Sequence, residues 1–138
     1  MLERKIRKKI EWAFYNYSEN NAAAQQYILD VAERQMAVDY GKIPVQASGG
    51  NGVESAIVKA LDKECAAYRW CKVVEQTIEH FAGTGKDTLV RLKYFENKSE
   101  HRLSEKLFID RSAVYDWINE VLTYGAMVAL QLGIIKIF

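Results

Sequence analysis

Apolar residues at Leu103, Leu107, Ile109, Val114 and Ile118 leave little freedom to the stretch at 99–119, SEHRLSEKLFIDRSAVYDWIN. Leu103 and Leu107 share one face of a first short helix. Ile109, Val114 and Ile118 close over the same small core if a tight turn reverses the chain. Asp110 is a good N-cap for the second helix, because a carboxylate there accepts from the free N–H groups of the first turn. Ser104 falls where the two helices run close, and a small side chain permits that approach. The expected unit is a helix-turn-helix, with Arg111, Ser112, Tyr115, Asp116 and Asn119 facing outward. Where such a unit reads DNA, the N-terminal part of its second helix enters the major groove. The same spacing also fits two helices that merely pack, so charge must decide between them.

From residue 110 to 124 a single cation, Arg111, stands against Asp110, Asp116 and Glu120. Groove binding draws much of its free energy from neutralised phosphates. Lys98, Arg102 and Lys106 on the preceding helix are therefore the expected phosphate contacts, which position without specifying sequence. Lys86, Arg91 and Lys93 precede them. The N-terminus supplies a second cluster, in which Lys5, Arg7, Lys8 and Lys9, with Arg4 beside them, form an auxiliary basic arm against Glu3 and Glu11. The net charge is only +1 over 138 residues, so affinity for nucleic acid depends on placement rather than bulk charge.

The remaining chain reads as helix around a substantial core, for which 49% hydrophobic content is ample. Leu2, Ile6, Ile10, Ala13 and Tyr17 predict an amphipathic helix to about Ser18, with a break at Asn20-Asn21. A second helix follows over 22–39 with Tyr27, Ile28, Val31 and Met36, and Gly41 ends it. Residues 42–52, with Pro44 and the run SGGNG, predict a linker that lacks the terminal Lys-Ser/Thr of a phosphate-binding loop. The span 53–81 contains neither Gly nor Pro and would form a spine of about 43 Å if fully helical. Its stripes run through Ala60, Ala67, Cys71, Val74, Ile78 and Phe81, and through Ile57, Leu61, Cys65 and Tyr68. After Gly83-Thr84-Gly85 a helix is expected over 87–96. Val114, Ile118, Val121, Gly125, Val128, Leu132 and Ile135 then trace a seam that runs past the recognition segment into an apolar terminal helix. The expected fold is all-α: an N-terminal helical region at 1–48, a long connecting helix at 49–82 and a helix-turn-helix domain at 83–138.

Several function classes recede on composition. Cys65 and Cys71 are the only cysteines, six apart within a helical pattern, which suits reduced core thiols better than a disulfide. His80 and His101 lack paired spacing, so no metal site is expected. Glu64, Glu75 and Glu79 fit a solvated helix face. No nucleophile–base pair or cofactor loop emerges, so neither an enzyme nor a cofactor is expected. The N-terminal cations are not followed by the apolar region of a signal peptide, and the apolar run at 124–135 is too short for a membrane span. The expected location is cytoplasmic.

The segments LVRLKYF at 89–95 and LSEKLFIDRSAVYDW at 103–117 resemble region 4 of bacterial sigma factors. They resemble more closely the phage regulators of the RinA and ArpU type. In that family a long helix and a glycine-bearing loop precede an aromatic helix, the helix-turn-helix and a terminal helix. Lys93-Tyr94-Phe95, the run at 113–117 and Leu132-Gly133 stand at the corresponding places, and the likeness covers about 53–135. Phe108 departs from the pattern where a glycine usually makes the turn, and Asp116 where a basic residue is usual. The resemblance implies an activator that binds double-stranded DNA at late or packaging genes of a phage or prophage. DNA contacts carry over to Arg111, Ser112 and Tyr115, with Asn119 as a further polar contact, rather than to Asp116. Two other readings fit the residues: a small-terminase-like packaging protein that oligomerises, and a helical module docking on host RNA polymerase. The apolar C-terminus either folds back on the chain or, with the long helix, makes a homodimer.

Overall fold

The computed structural model describes residues 3–39 and 65–136, and every regular element among them is helical. Helix α1 spans Arg4–Tyr15, α2 Tyr17–Asp39 and α3 Ala66–His80. Helix α4, Lys86–Val90, continues into a π-helical turn at Arg91–Phe95; α5 spans Glu100–Leu107 and α6 Arg111–Gln131. The all-α class is the one expected. The linker at 42–52, the first part of the expected spine with Ile57, Ala60, Leu61 and Glu64, residue Leu2 and the side chain of Met36 lie outside the described residues.

Helix α6 is the axis. It buries Val114, Ile118, Val121, Leu122, Gly125, Ala126, Val128 and Ala129 along 21 residues. The segment at 111–119 and the apolar helix behind it are therefore one rod. The seam keeps its three-four spacing throughout and no proline interrupts it. Helices α1 and α3 cross this rod where Gly125 leaves room. A Cβ at Gly125 would lie 3.0 Å from Ile10 Cγ2, 3.4 Å from Phe14 Cε2 and 3.6 Å from Thr77 Oγ1. All three neighbours are fully buried. The Thr77 hydroxyl donates to the Val73 carbonyl at 2.7 Å, which satisfies it inside the core. Residues from each of the three expected segments fill one hydrophobic cluster, from Ile10 through Val74 and Leu103 to Ile135. Helix α1 is a wall of that core, where its charge had pointed to an arm.

The boundaries differ from expectation in four places, and packing explains most of them. The N-terminal break falls at Asn16 rather than at Asn20-Asn21. Asn16 takes φ −103° and ψ 19°, and its amide donates to the Trp12 carbonyl at 2.8 Å, a local bond that competes with the helix. Asn20 is instead carried inside α2 and buried. Within the expected helix over 53–81, the described helix begins only at Ala66, after Cys65, whose φ −107° and ψ 98° are extended. Absence of Gly and Pro permits a helix without enforcing one, and Cys65 packs into a small cluster with Ala24, Tyr27, Ile28 and Tyr68. The helix expected over 87–96 widens into the π turn. Leu89, Val90, Leu92 and Tyr94 are all buried, and at 100° per residue they would span more than half of an α-helix's circumference.

The fourth difference is at the C-terminus. Helix α6 closes in a Schellman pattern, with Ile134 N–H donating to the Ala129 carbonyl and Gly133 N–H to that of Leu130. The chain then turns back, and Ile135 enters the main cluster. Of the two fates open to the apolar tail, residues 132–135 take the intramolecular one. Among the described residues no helix is long and apolar enough to cross a membrane.

Two outcomes follow from this packing. Gly125→Ala gains about 1 kcal/mol of helix propensity but presses on a core that is already full, where overpacking costs about 1–3 kcal/mol. The expected net loss is about 1 kcal/mol, read as a lower urea midpoint at unchanged slope; a variant at least as stable as the parent contradicts the crossing. Cys65 and Cys71 are free and buried. Burial first, then Glu75 and Cys65, pushes the Cys71 thiol up to about 12. Only the thiolate attacks alkylating reagents, so at pH 8 mass spectrometry should find Cys71 unmodified by iodoacetamide until urea unfolds the chain.

Candidate nucleic-acid interface

The pair α5 and α6 is joined by a turn at 108–110. Ser99 caps α5, its hydroxyl accepting from the Arg102 N–H at 3.4 Å. The helix ends at Phe108, whose φ 56° and ψ 43° are left-handed. Ser104 holds the turn from both sides. Its hydroxyl donates to the Ile109 carbonyl at 2.5 Å, and its carbonyl accepts from the Ile109 N–H at 3.2 Å. Its small size was the expected role; the hydrogen bonds are an additional one. Asp110 occupies the N-cap with φ −70° and ψ 156°, but its carboxylate makes no capping bond. Its carbonyl accepts from Val114 N–H, so the backbone alone sets the helix start. Leu103 and Val114 are fully buried and Ile118 nearly so, with Leu107 and Ile109 packed against them.

This core leaves the front of α6 in water. Arg111, Ser112, Tyr115, Asp116 and Asn119 are all exposed, the Tyr115 ring by half. The Glu100 carboxyl is held below its usual range, first by its own backbone N–H against the opposing effect of burial, and further by Lys93 and Arg111. Lys93 pairs with Glu100 at 3.4 Å. Arg111 thus starts α6 beside a partly neutralised carboxylate. Glu120, one of the acids that weakened the charge argument, is tied to Lys86 at 2.5 Å. The Lys86 ammonium also lies over the Phe81 and Trp117 rings, at 5.4 and 5.8 Å. That geometry depends on Gly85, which takes φ +91° and lets the Trp117 ring approach to 3.3 Å of where a Cβ would stand.

Helix α1 runs beside α6 in the same direction. Arg7 Nη1 donates to Asn119 Oδ1 at 2.8 Å, and Ile10 and Phe14 flank Gly125 further along. Arg4 lies three residues before Arg7, about 4.5 Å back along the axis of α1. Arg4, Lys5, Lys8 and Lys9 are exposed. The basic end of α1 therefore flanks the N-terminal half of α6. Arg7 itself is engaged, since its Nε also pairs with Glu11 at 3.4 Å. Glu11 in turn accepts from the Tyr94 hydroxyl at 3.3 Å. Burial, with the Glu11 charge behind it, pushes the Tyr94 hydroxyl far above the ordinary tyrosine range. A chain of hydrogen bonds thus links the buried π turn to Asn119.

Arg102 and Lys106 are exposed on α5 and Lys98 is half-buried just before it; none forms an ion pair among the described residues. The surface that combines cations and polar groups ends near Asn119. Adjoining it, a groove of about 540 Å³ is lined by Phe81, Tyr124 and Met127 together with Arg7, Asn119, Glu120 and Thr123. Among the described residues no cluster of His, Cys, Asp and Glu is placed to hold a metal ion. Two features escaped sequence reasoning. The Arg7–Asn119 bridge joins residues 112 apart and leaves no local signal. The Lys86–Glu120 pair also joins residues far apart in sequence, though the glycine at 85 marked the turn that makes it. Compared with known proteins, the chain matches no family model, no curated protein and no solved structure.

The bridge is measurable. Arg7→Ala and Asn119→Ala should each lower stability by about 0.5–1 kcal/mol, and the double variant by clearly less than their sum. Additive losses in urea melts would show that the two side chains do not interact.

Proposed function

We propose that the chain is a non-enzymatic, sequence-specific DNA-binding regulator whose helix α6 reads a major groove with its first two turns. The observation that carries this reading is the division of α6, exposed and polar over Arg111, Ser112, Tyr115 and Asn119 but built into the core beyond. A reading helix must project while being held rigidly. Arg111 is the principal base or phosphate contact, and Ser112 and Tyr115 supply polar contacts. Asn119 is held by Arg7 and serves chiefly to align the two helices. Lys98, Arg102 and Lys106 take phosphates on one flank; Arg4, Lys5, Lys8 and Lys9 take them on the other. This placement answers the poverty of α6 in cations. On the resemblance of its sequence to phage regulators of the RinA and ArpU type, the proposed target is late or packaging genes of a phage or prophage, in the bacterial cytoplasm, with activation as the proposed outcome.

The test is selection of a preferred site from a random duplex library by the full chain, followed by anisotropy titrations. Arg111→Ala should weaken binding to the selected site by about 1–3 kcal/mol. Lys106→Gln should weaken all duplexes alike and reduce the slope of log K against log salt by about 1. Recovery of no preferred sequence, or binding indifferent to salt, would sink the proposal.

A further inference from the structure

Phe108 is 94% exposed, far more than the next large apolar side chain described, Leu29 at 57%. It also holds a left-handed backbone, φ 56° and ψ 43°, which glycine adopts freely and a residue bearing a Cβ does not. Both features work against the free chain, and no contact within the fold compensates for either. The turn that carries the ring is nonetheless fixed, because Ser104 bonds Ile109 through both hydroxyl and carbonyl. The residue is therefore presented at a set backbone position. Its surroundings identify what it meets. Lys106, two residues before it, is exposed and forms no ion pair among the described residues, and Arg111, three after, is exposed beside the Glu100 carboxylate; of the nearby acids, Glu105 is engaged by His101 at 2.8 Å and Asp110 is exposed. The ring stands at the N-terminal end of α6, the end that leads into the groove in the proposal above.

We propose that Phe108 is a DNA contact that meets the C5-methyl group of a thymine beside the base pairs read by Arg111 and Ser112. The inference rests on the DNA-reading proposal and adds a specificity determinant to it. The thymine methyl is the apolar feature of the major groove, and a phenyl ring is a suitable partner for it. Contact removes both surfaces from water, and the fixed turn means that no backbone freedom is lost on binding.

The experiment uses the full chain and the site it selects. Each thymine of that site is replaced in turn by deoxyuridine, which removes the methyl group and leaves base pairing intact. For the wild type, one replacement should weaken binding about 5-fold, and the same replacement should leave Phe108→Gly unaffected. Phe108→Gly should bind the parent site about 10-fold more weakly while melting about 3 °C higher, because glycine relieves the left-handed backbone. A variant that is better folded and yet binds less tightly excludes damage to the fold as the cause. Phe108→Leu should retain part of the methyl dependence. Equal affinity of wild type and Phe108→Gly overturns the inference while leaving the DNA reading intact; so does the absence of any methyl dependence that requires Phe108. If the wild type selects no site, the DNA reading fails and this inference fails with it.

Discussion

The close crossing at Gly125 sets the position of everything else on α6. With no side chain at that point, Ile10 and Phe14 of α1 and Thr77 of α3 settle directly against the backbone of the axis. Any larger residue would lift α1 away, and the consequences would travel. Arg7 would lose its reach to Asn119, and Glu11 its place beside the Tyr94 hydroxyl. The tilted contact of the Phe14 and Tyr94 rings, with centroids 5.1 Å apart, depends on the same seat. A void of one methyl group in the axis thus fixes where the basic end of α1 stands relative to the exposed end of α6.

Electrostatics on this surface are organised by pairing rather than by abundance. Glu120 and Glu100 are matched to Lys86 and Lys93, both cations that also lie over aromatic rings. The cations on the outer faces of α1 and α5 are left exposed and unmatched among the described residues. A nearly neutral chain therefore presents an uneven surface, with Glu100 and Glu120 paired, Asp110 and Asp116 exposed on α6, and unmatched bases on the outer faces of α1 and α5. Exposed charges of this kind act over about a Debye length, roughly 8 Å at physiological salt, so their proximity to one another matters more than their number.

Much of the fold was legible wherever the apolar spacing was strict. The seam from Val114 to Ile135 and the pair Leu103 and Leu107 gave both helices around the turn, because only one face of each helix can be buried. Legibility failed where two local choices were close in free energy. Asn16 and Asn20 have the same intrinsic preference; the break falls at Asn16, whose side chain bonds the Trp12 carbonyl, while Asn20 is carried into the buried side of α2. Cys65 carries no helix-breaking chemistry at all, and a small cluster against α2 drew it out of the helix. At the candidate site the exposed residues were readable as a stripe of polar positions. Their engagement was not, since Arg7–Asn119 and Lys86–Glu120 are made by the fold and not by neighbours in sequence.

The continuity of α6 from Arg111 to Gln131 has a mechanical meaning. The part of the helix that faces outward and the part that forms the core share one uninterrupted backbone ladder, with no hinge between them. A torque applied at Tyr115 is borne by Val121, Leu122 and Ala129. The front of the helix cannot be tilted, melted or withdrawn independently of the domain's interior. If α6 reads DNA as proposed, control over it has to come from outside the helix, through the spacing of copies on a duplex, the supply of folded chain, or competition for the surface itself.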